Sequence, residues 1–193
     1  MSKTIPYFQW RAQYAAQIIA RGGVLAYPTE AVWGLGCDPF NQNAVQRILT
    51  IKGRDMSKGL ILIGSKPAHF GRLLRSLPPD QQACLTRSQA SDRATTWLVE
   101  DEQQLVPCWV KGQHTSVAIR LTAHPICAAL CEAFGGALVS TSANPAGMPS
   151  ALNRLKVQRY FADRLDYVLS GSLGCAARAS QIIDLKTREI LRA

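Results

Sequence analysis

Four short stretches carry the side chains able to do chemistry. Thr29 follows the apolar run Val24-Leu-Ala-Tyr27 and Pro28, and precedes Gly34 and Gly36. Pro28 has no N–H for a ladder, so a strand ends there. Two glycines one residue apart either turn the chain tightly or let the backbone approach something closely. Ligands of open α/β sheets sit off the carboxyl ends of strands, which makes Thr29 a candidate ligand contact. A purely structural loop is the competing reading. Lys52-Gly53-Arg54 ends a helical stretch and leads through Lys58 into the apolar run Leu60–Ile63. Cations between a helix and a central strand are placed to meet phosphate, although a helix C-terminus favours them for its dipole alone. Arg120 stands in the apolar run Ser116–Leu121. Facing inward, it requires an anionic partner. Ser140, Thr141, Ser142 and Asn144 follow an apolar strand and precede Pro145 and Gly147. Small hydroxyls and an amide offer many donors with little bulk, as a phosphate or polar ligand wants; a polar turn is the plain alternative.

Other chemistries lack their signatures. There is no G-x-x-x-x-G-K-[ST] and no G-x-S-x-G. The three histidines, His69, His114 and His124, form no metal-ligand pattern, and nothing points to a Ser-His-Asp arrangement. None of the six cysteines forms C-x-x-C, and Cys127 and Cys131 read as buried free thiols on a helix with Ile126 and Leu130. An enzyme built from these residues works by positioning and charge neutralisation.

The elements that must position these groups alternate. Residues 5–21 carry Phe8, Ala12, Ala15, Ile18 and Ile19 at helical spacing, and Gly22-Gly23 stops the helix. A strand over 24–27 follows, then a helix over 43–52 capped by Asn41 or Asn43. A strand over 59–63 precedes a helix over 66–75 and a short one over 80–86. Residues 87–94 read as an exposed polar loop, 95–100 as a strand, 107–113 as irregular and 116–121 as a strand. His124-Pro125 opens a helix to Phe134. A strand enters Ser140, a basic amphipathic helix covers 152–164, a strand covers 167–170, and a hairpin closes the chain around Lys186-Thr187. The expectation is a single α/β domain over residues 1–193 with a mixed sheet and flanking helices.

Composition agrees. The chain has 193 residues, 47% hydrophobic and 18% charged, which makes it globular. No run approaches the roughly 18–20 apolar residues of a membrane span, and the N-terminus has no secretory pattern, so a cytoplasmic setting without membrane contact is expected. Net charge is +9, and residues 39–79 hold seven cations against Asp55 alone. Such an excess suits an anionic partner, nucleic acid or nucleotide, and equally suits simple solubility.

Taken together, Tyr27-Pro-Thr-Glu-Ala-Val-Trp-Gly-Leu-Gly36, Lys52-Gly-Arg54, Val117-Ala-Ile-Arg120 with His124-Pro125, and Ser140-Thr-Ser-Ala-Asn144 with Gly147 resemble the YrdC-like family of L-threonylcarbamoyladenylate synthases, in order and spacing, over essentially the whole chain. The closest likeness is to the short bacterial form. The resemblance implies an open, twisted, mixed sheet around a basic groove. It implies synthesis of threonylcarbamoyl-AMP from L-threonine, bicarbonate and ATP with release of pyrophosphate, and Mg²⁺ carried on the phosphates. Partner proteins of the tRNA threonylcarbamoylation pathway would receive the product. An RNA-binding protein without this activity, acting on tRNA, double-stranded RNA or the ribosome, is the other implied reading. By resemblance, Lys52 and Arg54 bind the ATP phosphates, Thr29 and Ser180 contact threonine, and Arg120 takes its carboxylate. Ser140, Ser142 and Asn144 meet nucleotide or carbamate, and Thr96 and Arg192 lie on the nucleotide side. Two departures stand out. The family's Trp-Pro-Gly-Pro-Val-Thr segment is here Ser91-Asp-Arg-Ala-Thr-Thr96, which loses two prolines and a glycine and leaves the Thr96 contact open. Asp55 replaces the proline after Lys-x-Arg and brings a charge that offsets Arg54.

Overall fold

The computed structural model of the chain describes residues 7–89, 91, 93–176 and 180–192. Its elements are α1 (Tyr7–Ala20), β1 (Leu25–Pro28), β2 (Trp33–Gly36), α2 (Gln42–Lys52), β3 (Ile61–Gly64), α3 (Arg72–Arg75), α4 (Pro79–Gln89), β4 (Thr95–Glu100), α5 (Cys108–Lys111), β5 (Ser116–Leu121), α6 (Pro125–Phe134), β6 (Leu138–Ser142), α7 (Arg154–Phe161), β7 (Tyr167–Val168), β8 (Gln181–Asp184) and β9 (Ile190–Arg192). The strands form one nine-stranded sheet in the order β7-β1-β2-β6-β3-β5-β4-β8-β9. The pairs β1–β7, β3–β5 and β4–β8 are parallel and the others antiparallel, so the expected α/β fold with a mixed sheet is the one observed. β6 joins the two halves, because Thr141 and Ser142 pair with β2 while Leu138 to Ser140 pair with β3.

Strand side chains alternate between faces, and that alternation places the site. Leu62, Val117, Ile119 and Val139 point to one face, where α2, α3 and α5 cover them with Val45, Ile48, Leu49, Leu73, Leu74 and Val110. On the other face α1 and α6 cover Leu25, Tyr27, Ile63 and Leu138 with Ala15, Ile19, Cys127 and Leu130. That second cover stops short. Ile61 and Ser140 are register partners on the same face, and they emerge beside Arg120 in a cavity. Helix α7 packs Val157 and Phe161 onto Ala26, Trp33 and Leu35.

Several elements differ from the sequence expectation. Gly34 and Gly36 lie inside β2, and the turn is made by residues 30–32. A Cβ on Gly36 would run into the Val139 carbonyl oxygen and stand 2.8 Å from the Tyr27 ring, so the glycines serve close approach. Residues 66–75 are broken: a 3₁₀ turn (Pro67–Phe70) and α3 are separated by Gly71, whose φ of 55° and ψ of −127° no helix adopts. Helix α4 runs on into the stretch read as an exposed loop. Leu85 is its only fully buried residue, yet the Gln89 side chain donates to the Ser65 and Thr122 carbonyls and holds the last turn down. Ala90 and Asp92 of that stretch lie outside the described residues, as do residues 5 and 6 of the expected first helix. Residues 107–113 contain the short helix α5, anchored by buried Val110. The basic helix is shorter than expected because the Asn153 side chain caps it at Lys156 N and Ala162 ends it at a φ of 43°. Asn41, not Asn43, caps α2. β6 extends through Ser142, so the hydroxyl cluster belongs to the strand because β2 supplies it with a partner.

Candidate functional site

The β1–β2 turn is closed by Thr29, whose Oγ1 donates to the Val32 carbonyl at 2.7 Å. Opposite it, a Cβ on Gly34 would come 3.3 Å from Thr29 Cγ2 and 3.5 Å from Ser140 Oγ, so glycine keeps this part of the wall open. Thr29, Arg54, Arg120, Ser140, Ser142, Ser180 and Arg192 line one cavity of about 310 Å³, with Gly34, Ile61 and Ser150 among its walls. Seven of the ten site residues expected from the sequence therefore meet, although they come from three strands (β5, β6 and β9) and three connecting segments.

The other three lie just behind the wall. Lys52 is almost fully buried; its ammonium donates to the Ser142 carbonyl and, at 2.7 Å, to the Asn144 carbonyl. It holds the end of β6 from below. Burial, helped by the Arg54 charge, pushes this ammonium down to about 8. The Asn144 amide donates to the Met148 carbonyl at 2.7 Å, which folds the loop after β6. Thr96 is wholly buried, and its hydroxyl meets that of Ser180 at 2.8 Å. It supports Ser180 from behind, while Arg192 Nη2 donates to the Ser180 carbonyl at 2.6 Å.

The Lys-Gly-Arg turn works through its glycine. Gly53 takes the left-handed conformation at a φ of 59°, and its N–H closes the helix onto Leu49 and Thr50. Arg54 is thereby sent away from the helix axis toward the cavity, where Nη2 donates to the Gly59 carbonyl at 2.8 Å. Asp55 does not oppose it. The aspartate carboxylate caps the next turn by accepting from Ser57 N at 2.8 Å, and among the described residues Arg54 forms no ion pair.

Arg120 does have the anionic partner that an arginine in an apolar strand requires. Its Nη2 lies 3.4 Å from Glu30 Oε2, and Glu30 Oε1 accepts from Thr122 Oγ1 at 2.5 Å. Burial pushes the Glu30 carboxyl up, but the Arg120 charge and the Thr122 hydroxyl outweigh it and hold the group below its ordinary range. No role for Glu30 or Thr122 is legible in the sequence; the demand of Arg120 for a counter-charge was the signal that one existed. Four buried atoms here lack hydrogen-bond partners: Arg54 Nε, Arg120 Nε, Glu30 Oε2 and Asn144 Oδ1. All four belong to residues of the cavity wall or of the layer just behind it. Among the described residues no three His, Cys, Asp or Glu side chains group to hold a metal ion. None of their helices is long and apolar enough to cross a membrane.

Fold and site thus define an α/β protein with a cationic, hydroxyl-lined hollow shaped for small anionic molecules. Residues 17–193 match the Sua5_yciO_yrdC family model, described as telomere recombination, and the chain belongs to that family. An Acinetobacter baumannii protein named threonylcarbamoyl-AMP synthase is 49% identical over 182 residues, covering 92% of this chain and 95% of its own length. A Pseudomonas aeruginosa protein of the same name is 48% identical over 184 residues, covering 95% and 97%. The structure of P. abyssi Sua5 complexed with L-threonine superposes with a TM-score of 0.82 at 28% identity, covering 91% of this chain and 51% of that one, so this chain spans about half of the longer protein. E. coli YciO shares the fold with a TM-score of 0.78 at 23% identity, covering 95% and 89%.

Proposed function

We propose that this chain, acting as a single domain, is a threonylcarbamoyl-AMP synthase that joins L-threonine, bicarbonate and ATP. The threonine amine and bicarbonate form a carbamate with loss of water. A carbamate oxygen then attacks the α-phosphorus of ATP, and pyrophosphate leaves. The nucleophile comes from the substrates, so the protein has to gather anions and neutralise charge as it develops. The observation that carries this reading is the convergence of Thr29, Arg54, Arg120, Ser140, Ser142, Ser180 and Arg192 on one cavity. Relatives about half identical over nearly their whole length bear the name of this activity.

In this reading Arg120 grips the threonine carboxylate, with Thr29 and Ser180 beside it. Arg54 and Arg192 face the phosphates, and Ser140 and Ser142 donate to nucleotide or carbamate. Lys52, Asn144 and Thr96 act by shaping the walls. Mg²⁺ would arrive on the ATP phosphates and there offset their charge; among the described residues no carboxylate lines the cavity to hold such an ion independently of the nucleotide. The product passes to cytoplasmic proteins that modify tRNA.

Incubation of the purified protein with all three substrates tests this. Pyrophosphate release is expected only when threonine, bicarbonate and ATP are present together, and is lost in Arg120→Ala and Arg54→Ala. Release that does not depend on threonine overturns the reading.

A further inference from the structure

Glu30 follows Thr29 but does not line the cavity; it stands behind the wall. Its carboxylate is the centre of a closed chain of hydrogen bonds. Oε2 faces Arg120 Nη2 at 3.4 Å, and Oε1 accepts from Thr122 Oγ1 at 2.5 Å. Thr122 Oγ1 accepts from His124 N at 3.1 Å. The His124 ring spans the next gap: Nδ1 accepts from Cys127 N at 3.4 Å at the start of α6, and Nε2 lies 3.0 Å from the Ser172 carbonyl. One nitrogen accepting and the other facing a carbonyl is the pattern of a neutral ring protonated at Nε2. The segment from Ser172 then returns to the beginning. Gly174 N donates to the Thr29 carbonyl at 3.0 Å and Ala176 N to the Glu30 carbonyl at 3.1 Å. The β1–β2 turn, β5, the start of α6 and the segment 172–176 are locked together, with Glu30 in the ring twice.

We propose that Glu30 is the positioning residue of Arg120: its carboxylate fixes where the guanidinium points and so presents the guanidinium's cavity-side donors to the carboxylate of the amino-acid substrate. This rests on the reading of Arg120 as the threonine grip. A guanidinium on a long side chain loses rotamer freedom when it binds, and a grip ordered beforehand loses less. In a half-buried strand a lone guanidinium also lacks compensation, which Glu30 supplies before substrate arrives. Glu30 Oε1 is committed to Thr122, so the carboxylate cannot swing away to follow an incoming ligand. Because Glu30 touches Arg120 by charge at 3.4 Å and not by a formed hydrogen bond, the guanidinium keeps its donors.

Glu30→Gln keeps the shape and an acceptor for Thr122 but removes the charge. The Michaelis constant for threonine is expected to rise on the order of ten- to a hundredfold, with kcat and the constant for ATP within about twofold. Arg120→Lys should show the same threonine defect, and the double variant should be no worse than Arg120→Lys alone. Equal losses on threonine and ATP, or additive losses in the double variant, would mean a general structural role and overturn the proposal. A second measurement needs no activity. The Arg120 Nε–H resonance should be sharp and slow to exchange in the wild type and broadened in Glu30→Gln. An unchanged resonance overturns the proposal even if the wild type makes no product, whereas absent threonine-dependent turnover with a broadened resonance would sink only the proposed reaction. If Glu30→Gln does not fold, Thr122→Val tests the same link, and a threonine constant at the wild-type value counts against it.

Discussion

The Lys52 ammonium lies 2.7 Å from the Asn144 carbonyl oxygen and also donates to Ser142, tying the end of α2 to the end of β6. Its pKa, near 8 against an ordinary 10.5, follows from burial and from the Arg54 charge. A base whose folded value is depressed binds fewer protons folded than unfolded between those limits, so burying it costs stability below about pH 8 and the cost fades as pH rises. The bound phosphates of ATP would restore the charged form. ATP binding at pH 8.5 is therefore expected to take up a fraction of a proton. Calorimetry in two buffers of different ionisation enthalpy measures it, and Lys52→Met should abolish it. No uptake by the wild type would separate Lys52 from the phosphates.

Thr96, expected from the sequence on the nucleotide side, meets Ser180 at 2.8 Å between hydroxyls. Thr96→Val keeps the volume and leaves the buried Ser180 hydroxyl short of one partner. A loss of about 1 kcal/mol is expected, a fall of roughly 2–4 °C in melting temperature for a chain this size. If Ser180 meets threonine, the threonine constant rises severalfold, and adding Thr96→Val to Ser180→Ala has no further effect on it. Additive effects would give Thr96 a role of its own.

What could be read from the residues alone follows a physical division. Long periodic segments such as α1 and α2 and the strand-like run 116–121 are local signals, and they stand where expected. The polar surface of α4 hid its length, since a helix needing one buried leucine leaves almost no periodic trace. The glycines of β2 showed that something comes close but not what; the answer, β6, lies a hundred residues away in the chain. Most site residues were legible because a hydroxyl or cation at a strand end is conspicuous. Whether a cation lines the cavity, as Arg54 does, or braces it from behind, as Lys52 does, depends on long-range carbonyl partners that no local pattern announces.

Asp101 offers a test of stability apart from the site. Its buried carboxylate accepts from Leu105 N at 2.8 Å, Val106 N at 3.0 Å and Lys111 Nζ at 3.0 Å. Burial raises its pKa, but the Val106 and Leu105 amides and Lys111 outweigh it and hold the group below its ordinary 3.8. For an acid whose folded value is depressed, the stabilisation is complete above the ordinary value and is lost as pH falls through and below it. Asp101→Asn is expected to cost about 2–4 kcal/mol at pH 7 and to flatten the acid limb of the stability curve. Neither Asp101 nor these partners line the cavity, so substrate constants should not move. A variant with an unchanged acid limb would show that other carboxylates govern it.

Gly36→Ala probes how tightly β1, β2 and β6 are stacked. The added methyl would meet the Val139 carbonyl oxygen and lie 2.8 Å from Tyr27 Cε1 and Oη. Neither neighbour yields easily: Val139 is in the β6 ladder, and Tyr27 is buried with its hydroxyl donating to the same carbonyl at 3.1 Å. Overpacking of this kind costs about 1–3 kcal/mol, and a backbone obstacle puts the expectation at the upper end, a fall of roughly 6–12 °C in melting temperature. Gly53→Ala supplies the contrast. Gly53 has a φ of 59° but no atom within 4 Å of an added methyl, so only the left-handed strain remains, about 1 kcal/mol. Thermal melts of the two variants decide between space and strain. If Gly53→Ala melts lower than Gly36→Ala, then β6 has room to shift, and the placement of Ser140 and Ser142 does not depend on a glycine opposite them.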